Sequence, residues 1–163
     1  MAREGFQYFV ERYLETGEAR SLWRRKRFRW QYLSLIDWNW HRVWPWRVRV
    51  PAPDHLHSIT ARQAADLSSD RQRWVQYWAR YRQLGDWNFD RMPLTVLRRR
   101  VSPGRQLDEI FSIEDCCWKP TKIPAHHLDP HGLEYGLLWG ITSEAADEFL
   151  SKLTGSTGTI EQL

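Results

Sequence analysis

Basic and aromatic residues are interleaved most densely in RRKRFRWQYLSLIDWNWHRVWPWRVRV, residues 24–50, which holds five tryptophans and eight basic residues. A guanidinium group binds phosphate oxygens through a planar fork of donors and also stacks on flat rings. Aromatic rings in turn stack on unpaired bases. This combination is typical of a nucleic-acid-binding surface, and other basic runs of the first two-thirds of the chain extend it. The candidate phosphate-binding residues are Arg20, Arg24, Arg25, Lys26, Arg27, Arg29, Arg47, Arg49, Arg71, Arg73, Arg80, Arg82, Arg98, Arg99 and Arg100.

The eleven tryptophans must serve more than one purpose. A buried indole removes a large apolar area from water, so we expect most of them, including Trp30, Trp74 and Trp78, in the core. Four others are too close together for one small core to absorb, and at least one of these is expected at the surface as a stacking or partner-binding residue. These four are Trp38, Trp40, Trp44 and Trp46.

Charge is distributed unevenly along the chain. Residues 1–105 hold 21 Lys and Arg against 10 Asp and Glu, whereas residues 106–163 hold 3 against 10. A basic body (1–105) followed by an acidic C-terminal third (106–155) predicts a polyanionic ligand for the first part and a protein partner for the second. The arginine runs are also compatible with a merely solvated outer face.

A second group of chemically versatile residues lies in CCWKPTKIPAHHLDPH, residues 116–131. Structural zinc sites need cysteines separated by two to four residues, and the side chains of adjacent cysteines diverge. We therefore favour an ordinary polar loop over a metal site. The weak candidate ligands are Cys117, His127, Asp129 and His131.

Signatures of catalysis are missing from the sequence. It has no glycine-rich phosphate loop, no G-x-S-x-G elbow and no H-E-x-x-H helix. A nucleophile–base pair of Cys116 with His126 or His127 stays open as a minor alternative, as does metal-assisted phosphodiester hydrolysis at Asp86, Asp90 and the histidine-rich loop. We expect a protein that is not an enzyme and needs no cofactor.

Length and local hydropathy limit the number of domains and the cellular compartment that we expect. A chain of 163 residues, 42% hydrophobic and 27% charged, is long enough for one domain with a real core. The N-terminus MAREGFQYFVERYLE lacks the apolar run of a signal peptide, and no segment approaches the roughly 20 uncharged residues of a spanning helix. With only two, adjacent, cysteines, we expect a cytoplasmic protein without membrane contact.

Hydrophobic periodicity predicts mostly helices. The first stripe has helical spacing and comprises Phe6, Phe9, Val10, Tyr13 and Leu14. Residues 43–50 alternate like an edge strand, and residues 60–84 predict one long helix or two, with Thr60 and Gln63 spaced as a capping box. Residues 94–101 fit a strand or a helical turn, whereas residues 21–42 fit either a helix or a strand.

The remaining segments complete the expected fold. Residues 105–118 predict a helix, residues 133–142 a buried strand, and Ser143 the N-cap of a last helix. We expect an α+β, mainly helical chain: a single compact domain, 1–155, with four to five helices and a few short strands. Residues 156–163 are expected to be a frayed tail.

These observations favour a non-catalytic nucleic-acid-binding subunit of a nucleoprotein complex. Its ligand would be RNA or single-stranded DNA recognised with low sequence specificity, because arginine contacts with phosphates position without specifying. Tryptophan and arginine also dominate protein interfaces, so a protein-binding adaptor or inhibitor without nucleic acid is the alternative. Tryptophan platforms for a sugar are less favoured, since they rarely need an adjoining arginine run.

Overall fold

A computed structural model describes residues 5–128, 130–131, 136–158 and 160, and the chain divides into two compact units. The N-terminal unit comprises Met1–Trp74 and Val101–Gln106, and the C-terminal unit comprises Val75–Arg100 and Leu107–Leu163. The border between them differs from the charge border at residue 105. By sequence the N-terminal unit holds 15 Lys and Arg against 8 Asp and Glu, net +7, and the C-terminal unit 9 against 12, net −3.

The N-terminal unit is built on a five-stranded antiparallel sheet with the order β4-β3-β2-β1-β5. A 3-10 turn, Pro53–His55, precedes the last strand, and a helix α1, Ala61–Ser69, follows it. The strands are β1 Gln7–Arg12, β2 Ala19–Lys26, β3 Arg29–Leu33, β4 Trp40–Arg42 and β5 Leu56–Ile59.

One face of this sheet forms the core of the N-terminal unit. Val10 and Leu22 are directly opposed on β1 and β2, so their side chains share a face, and both are completely buried. Leu33, Leu35 and Trp74 complete this cluster. The helix α1 begins at the expected capping box: the Thr60 hydroxyl accepts from the backbone N–H of Gln63 at 3.1 Å, and the Gln63 amide oxygen accepts from the Thr60 N–H at 2.9 Å.

The C-terminal unit contains most of a second five-stranded sheet, with the order β10-β6-β7-β8-β9. Helix α3 covers it with Ala146 and Leu150, which pack with Tyr77, Val96 and Phe111. Its strands are β6 Val75–Arg80, β7 Thr95–Ser102, β8 Arg105–Ser112, β9 Cys117–Pro120 and β10 Leu138–Ile141; its helices are α2 Ile123–His127 and α3 Ser143–Thr154, with a 3-10 turn at Asp86–Phe89.

The prediction of a mainly helical α+β domain with four to five helices is wrong. The described residues form two antiparallel five-stranded sheets and three α-helices. Of the stripe expected as the first helix, Phe9 and Val10 lie on β1, whereas Phe6 precedes this strand and Tyr13 and Leu14 follow it. Both faces of β1 contact aromatic or apolar neighbours: Phe9 packs on Trp30, and Val10 lies in the core on the opposite face. Apolar residues on both faces of a strand produce helical spacing by coincidence.

Other local predictions have mixed outcomes. Of the one or two helices expected at 60–84, only α1 forms, and the second half contains a 3-10 turn, Gln72–Trp74, and the strand β6 instead. The helix expected at 105–118 is replaced by β8, and residues 94–101 take the strand alternative. The edge strand expected at 43–50 is a turn, in which the N–H groups of Arg47 and Val48 donate to the Trp44 carbonyl. The last helix is confirmed, although its cap is Thr142 rather than Ser143.

Of the strand expected at 133–142, Leu138–Ile141 form β10, whereas residues 136–137 and 142 lie outside this strand. Residues 132–135 lie outside the described residues. Ile160, in the segment expected to be a frayed tail, is 3% exposed and belongs to the core cluster of the C-terminal unit.

Candidate nucleic-acid interface

An open cleft of about 1110 Å³ lies within the N-terminal unit. Its floor consists of Glu11, Ser21 and Trp23 on β1 and β2, and two chain segments, 47–53 and 101–106, form its walls. We call it the arginine cleft, because four arginines from separate parts of the unit line it: Arg20, Arg47, Arg49 and Arg105.

Glycine allows the two walls to approach each other. Gly104, at the turn between β7 and β8, has a φ of +74°, which side chains rarely tolerate. A Cβ atom there would lie 3.1 Å from Cγ2 of Val48 and 3.2 Å from the Arg47 carbonyl oxygen. The turn and the segment that carries Arg47 are therefore held in close contact only because residue 104 lacks a side chain.

The floor of the cleft is a hydrogen-bonded chain. Trp23 donates from Nε1 to the Ser21 hydroxyl at 2.6 Å, and Ser21 donates to Oε2 of Glu11 at 2.5 Å. Arg20 Nη1 lies 3.6 Å from the other Glu11 oxygen. The carboxylate is thus satisfied and offsets one arginine, whereas no described residue forms an ion pair with the exposed Arg47, Arg49 or Arg105.

A second pocket of about 460 Å³, here called the aromatic pocket, shares residues 48–50 with the arginine cleft. The rings of Trp44 and Trp46 are 5.2 Å apart at 35°, and Trp46 is 75% exposed. Phe28, in the two-residue turn between β2 and β3, is 83% exposed. The pocket is also lined by Trp30 and by three arginines: Arg29, Arg42 and Arg49.

Two predicted phosphate ligands are instead held by rings. Arg24 lies between Phe6 (4.1 Å) and Trp40 (4.5 Å) and donates to the Gln31 amide oxygen at 2.6 Å. Its neighbour Arg25 points to the opposite face of β2, where it lies 5.1 Å from the Trp30 ring centroid. Both are half-buried cation–π elements of the sheet.

The remaining predicted residues of the N-terminal unit are dispersed. Lys26 and Arg27 are exposed at the β2–β3 turn. Arg71 lies 5.2 Å from the ring centroid of Trp38, and Arg73 lies 3.8 Å from a carboxylate oxygen of Asp70. The sheet and its turns therefore bring together Arg20, Arg29, Arg47 and Arg49 with Trp44 and Trp46, but not Arg71, Arg73, Trp38 or Trp40.

The RRR run of the C-terminal unit is neutralised by β8. Arg98 and Arg100 are buried and lie 2.7 and 2.9 Å from Oε2 of Glu109. Arg99 lies 2.6 Å from an Asp108 oxygen. Burial lowers the pKa of Arg98, although Glu109 opposes that shift through its hydrogen bond and charge. These three arginines form no open cationic surface, and we leave them out of the candidate interface.

The other candidates in the C-terminal unit are separate from any arginine cluster. Arg80 is half-buried on β6 and Arg82 is exposed. Of the weak metal candidates, Cys117 is half-buried, His127 is buried and His131 is exposed, whereas Asp129 lies outside the described residues. No group of three or more His, Cys, Asp or Glu side chains in the described part of the chain is arranged to hold a metal ion.

The residues of the site that were not predicted include Phe28, Arg42 and Arg105. Arg42 lies in the stretch where basic and aromatic residues are interleaved, and Arg105 follows the turn signal Ser102-Pro103-Gly104. Sequence features therefore pointed to both residues. Phe28 left none, because its exposure depends on β2 and β3 pairing through a turn of only two residues, Arg27 and Phe28.

No protein-family model, curated protein or solved structure matches the chain. Among the described residues, none of the helices has the length and apolar character required to cross a membrane. The site is therefore interpreted from its own geometry and charge.

Proposed function

We propose that this chain is a non-catalytic nucleic-acid-binding protein whose N-terminal unit holds a sugar-phosphate backbone in the arginine cleft. The observation that carries the proposal is the convergence of Arg47, Arg49 and Arg105 on one cleft. All three are exposed, and none has a carboxylate partner among the described residues.

Counterion release supplies the driving force. Each phosphate neutralised by an arginine releases condensed cations, so affinity depends steeply on salt. The unit that contains the cleft has a net charge of +7, which also favours encounter with a polyanion. Guanidinium contacts with phosphates carry little sequence information, and this favours RNA or single-stranded DNA bound with low sequence specificity.

The proposal is tested by removing the three cleft arginines together. The slope of log affinity against log salt is negative, and each phosphate contact on a single strand contributes roughly 0.7 to its magnitude. The R47A/R49A/R105A variant is expected to reduce that magnitude by about 2. Fluorescence anisotropy with a labelled oligonucleotide, repeated over a salt series, measures this slope.

A control with the same charge change is available outside the cleft. Arg62, Arg73 and Arg82 are all exposed and do not line it, so R62A/R73A/R82A removes three positive charges elsewhere. If the two triple variants reduce the slope equally, binding follows net charge and the cleft is not the site. If wild-type protein binds no oligonucleotide at low salt, the proposed function is wrong.

A protein partner for the C-terminal unit is a second proposal, consistent with a subunit of a nucleoprotein complex. Several large apolar side chains of this unit are exposed, and Trp87 stacks at 3.7 Å on the half-exposed Trp139. Substitution of Leu84 and Phe89, which are 66% and 74% exposed, by serine is expected to weaken a native partner's retention and leave oligonucleotide affinity unchanged. Loss of oligonucleotide binding in that variant would contradict the assignment.

The adaptor alternative assigns the aromatic pocket to a protein instead of a nucleic acid. The 75% exposure of Trp46 is the observation that favours it, because exposed tryptophan is typical of interface hot spots. An aromatic-anchored protein contact changes little with salt, whereas the proposed phosphate contact weakens by orders of magnitude. Salt dependence of binding therefore separates the two functions.

A further inference from the structure

We infer that the aromatic pocket is a subsite for one unpaired nucleobase, placed next to the phosphates in the arginine cleft. The inference rests on the proposed function and adds to it the requirement for a base. Its basis is the combination of exposed rings, unpaired arginines and a shared wall between the two cavities.

The rings of the pocket have free faces. Phe28 and Trp46 are 83% and 75% exposed and line one pocket, and a group of exposed rings is a contact site more often than a single exposed apolar side chain is. Trp44 is already occupied on one side, because the Arg42 guanidinium lies 4.8 Å from its ring centroid. The surfaces available for stacking are therefore those of Phe28 and Trp46.

The spacing of the two indoles decides where a base would lie. Their centroids are 5.2 Å apart and their planes tilted by 35°, which is an aromatic pair in direct contact. No ring fits between them. A base would instead stack on the outer face of Trp46 or on Phe28, within a volume of about 460 Å³. Small-molecule sites span about 300–1,000 Å³, so one base is accommodated.

The charge around the rings selects an anionic ligand. Arg29, Arg42 and Arg49 line the pocket, and no described residue forms an ion pair with any of them. A cationic ligand would be repelled, and a neutral sugar would not require three arginines. A nucleotide presents a flat base to the rings and a phosphate to the guanidinium groups.

Because the arginine cleft and the aromatic pocket share a wall, they lie next to each other. Arg49 lines both the arginine cleft and the aromatic pocket, as do Val48 and Val50. A strand whose phosphates lie in the cleft therefore passes directly beside the rings. Bases of a duplex are paired inside the helix and have no free face, so a strand with an unpaired base at this position is favoured.

Abasic oligonucleotides test the inference directly. A labelled oligothymidine is compared with a strand of the same length in which every position is abasic, because a strand with one missing base could shift its register and still place a base in the pocket. The phosphates are unchanged, so removal of the bases should lower affinity by about 5- to 150-fold if one base stacks in the pocket. A duplex of the same length should bind more weakly than the intact strand.

Variants of Trp46 locate the base. Trp46→Ala is expected to weaken the intact strand by a similar factor and to add no further loss with the abasic strand, because both changes remove one contact. Trp46→Phe retains a ring and should recover part of the affinity. Phe89→Ala, which removes an equally exposed ring of the C-terminal unit, should have no effect. Thermal unfolding of each variant confirms that it is folded.

Each outcome has a distinct meaning. Equal affinity for intact and abasic strands, with the salt slope retained, overturns the base subsite and leaves the proposed function standing. A loss with the abasic strand that neither Trp46→Ala nor Phe28→Ala reproduces places the base elsewhere, leaves the exposed rings for a protein partner and overturns the assignment of this pocket. Absence of binding to any strand overturns both proposals.

Discussion

Arginines are held in opposite ways in the two units. In the N-terminal unit, Arg24 lies between two aromatic rings, and Arg47 and Arg49 are exposed on a cleft. In the C-terminal unit, Arg98 and Arg100 are buried against a single carboxylate, that of Glu109. The same residue type therefore supplies an open surface in one unit and part of the interior in the other.

The neighbouring strand accounts for the difference. The carboxylates of Asp108 and Glu109 on β8 face the arginines of β7, which runs beside it. Arg24 and Arg25 of β2 instead face Gln31, Gln7 and several rings, which accept a cation without cancelling its charge. A basic residue in a sheet therefore keeps its charge where no acid of the neighbouring strand lies beside it; Arg20, close to Glu11 on β1, is partly offset in the same way as the arginines of β7.

The largest expected effect comes from disrupting the buried ion pairs of Glu109 with Arg98 and Arg100 in the C-terminal unit. Glu109→Gln removes the negative charge shared by two buried guanidinium groups, and an uncompensated buried charge costs about 3–5 kcal/mol in the free energy of unfolding. Urea denaturation followed by circular dichroism measures it. Glu114→Gln, an exposed neighbour on the same hairpin, is the control and should change little. A change below about 1 kcal/mol at Glu109 would show that the buried charges are relieved in another way.

A smaller effect is expected for the ring-held arginine of the N-terminal unit. Arg24→Ala removes two cation–π contacts and the hydrogen bond with Gln31, worth together about 1–2 kcal/mol. Arg24→Lys keeps the charge but loses the planar stacking, so it should be intermediate. Arg62→Ala, an exposed position on α1, is the control in the same denaturation assay. A lysine variant as stable as wild type would show that planar stacking contributes nothing.

The smallest effect concerns an exposed ion pair of the N-terminal unit. Nε2 of His41 lies 2.7 Å from Asp37, and the side chains are 42% and 46% exposed. Burial raises the pKa of Asp37, but hydrogen bonds from Ser34, the Asn39 backbone and His41 outweigh it and lower the pKa overall. A lowered pKa stabilises the fold above the unfolded value of about 3.9, and this stabilisation is lost on further acidification.

The Asp37→Asn variant tests this pair against the buried ion pairs of Glu109. It should be less stable than wild type by under about 1 kcal/mol at neutral pH, because exposed pairs are screened by water. The difference should shrink as pH falls below about 4, as the carboxyl becomes protonated in wild type. Denaturation curves between pH 3 and 7 measure it. A difference that stays constant over this range would show that the carboxylate charge has no role.

Local signals in the sequence predicted local structure well. The capping box at Thr60 and Gln63 does begin a helix, and the observed N-cap of the last helix, Thr142, lies one residue before the predicted one. Both predictions are local, because capping hydrogen bonds join residues three positions apart. Periodicity failed where both faces of a strand carry apolar or aromatic residues, as at Phe9 and Val10. A period of two is then invisible, and the spacing resembles that of a helix.

The sequence predicted the residue types that form the candidate site, but not all of the residues that line it. Arg47, Arg49, Trp44 and Trp46 belong to the segment that the interleaving of arginine and tryptophan singled out. Arg105 is the first residue of β8, and the β7–β8 turn brings it to the cleft. At the end of β7, the Ser102 hydroxyl accepts a hydrogen bond from the backbone N–H of Leu35 at 2.6 Å. That contact joins residues 67 positions apart, and no local pattern predicts it.

The sequence by itself determined the charge imbalance, the abundance of arginine and tryptophan, and the helices that begin at capped ends. The tertiary structure alone decided which arginines are open to a ligand and which are neutralised. The physical reason is that a side chain's charge is cancelled by whatever lies within a few ångströms of it. In an antiparallel sheet those neighbours come from another strand, so the positions of Asp108 and Glu109 became meaningful only when β7 and β8 paired.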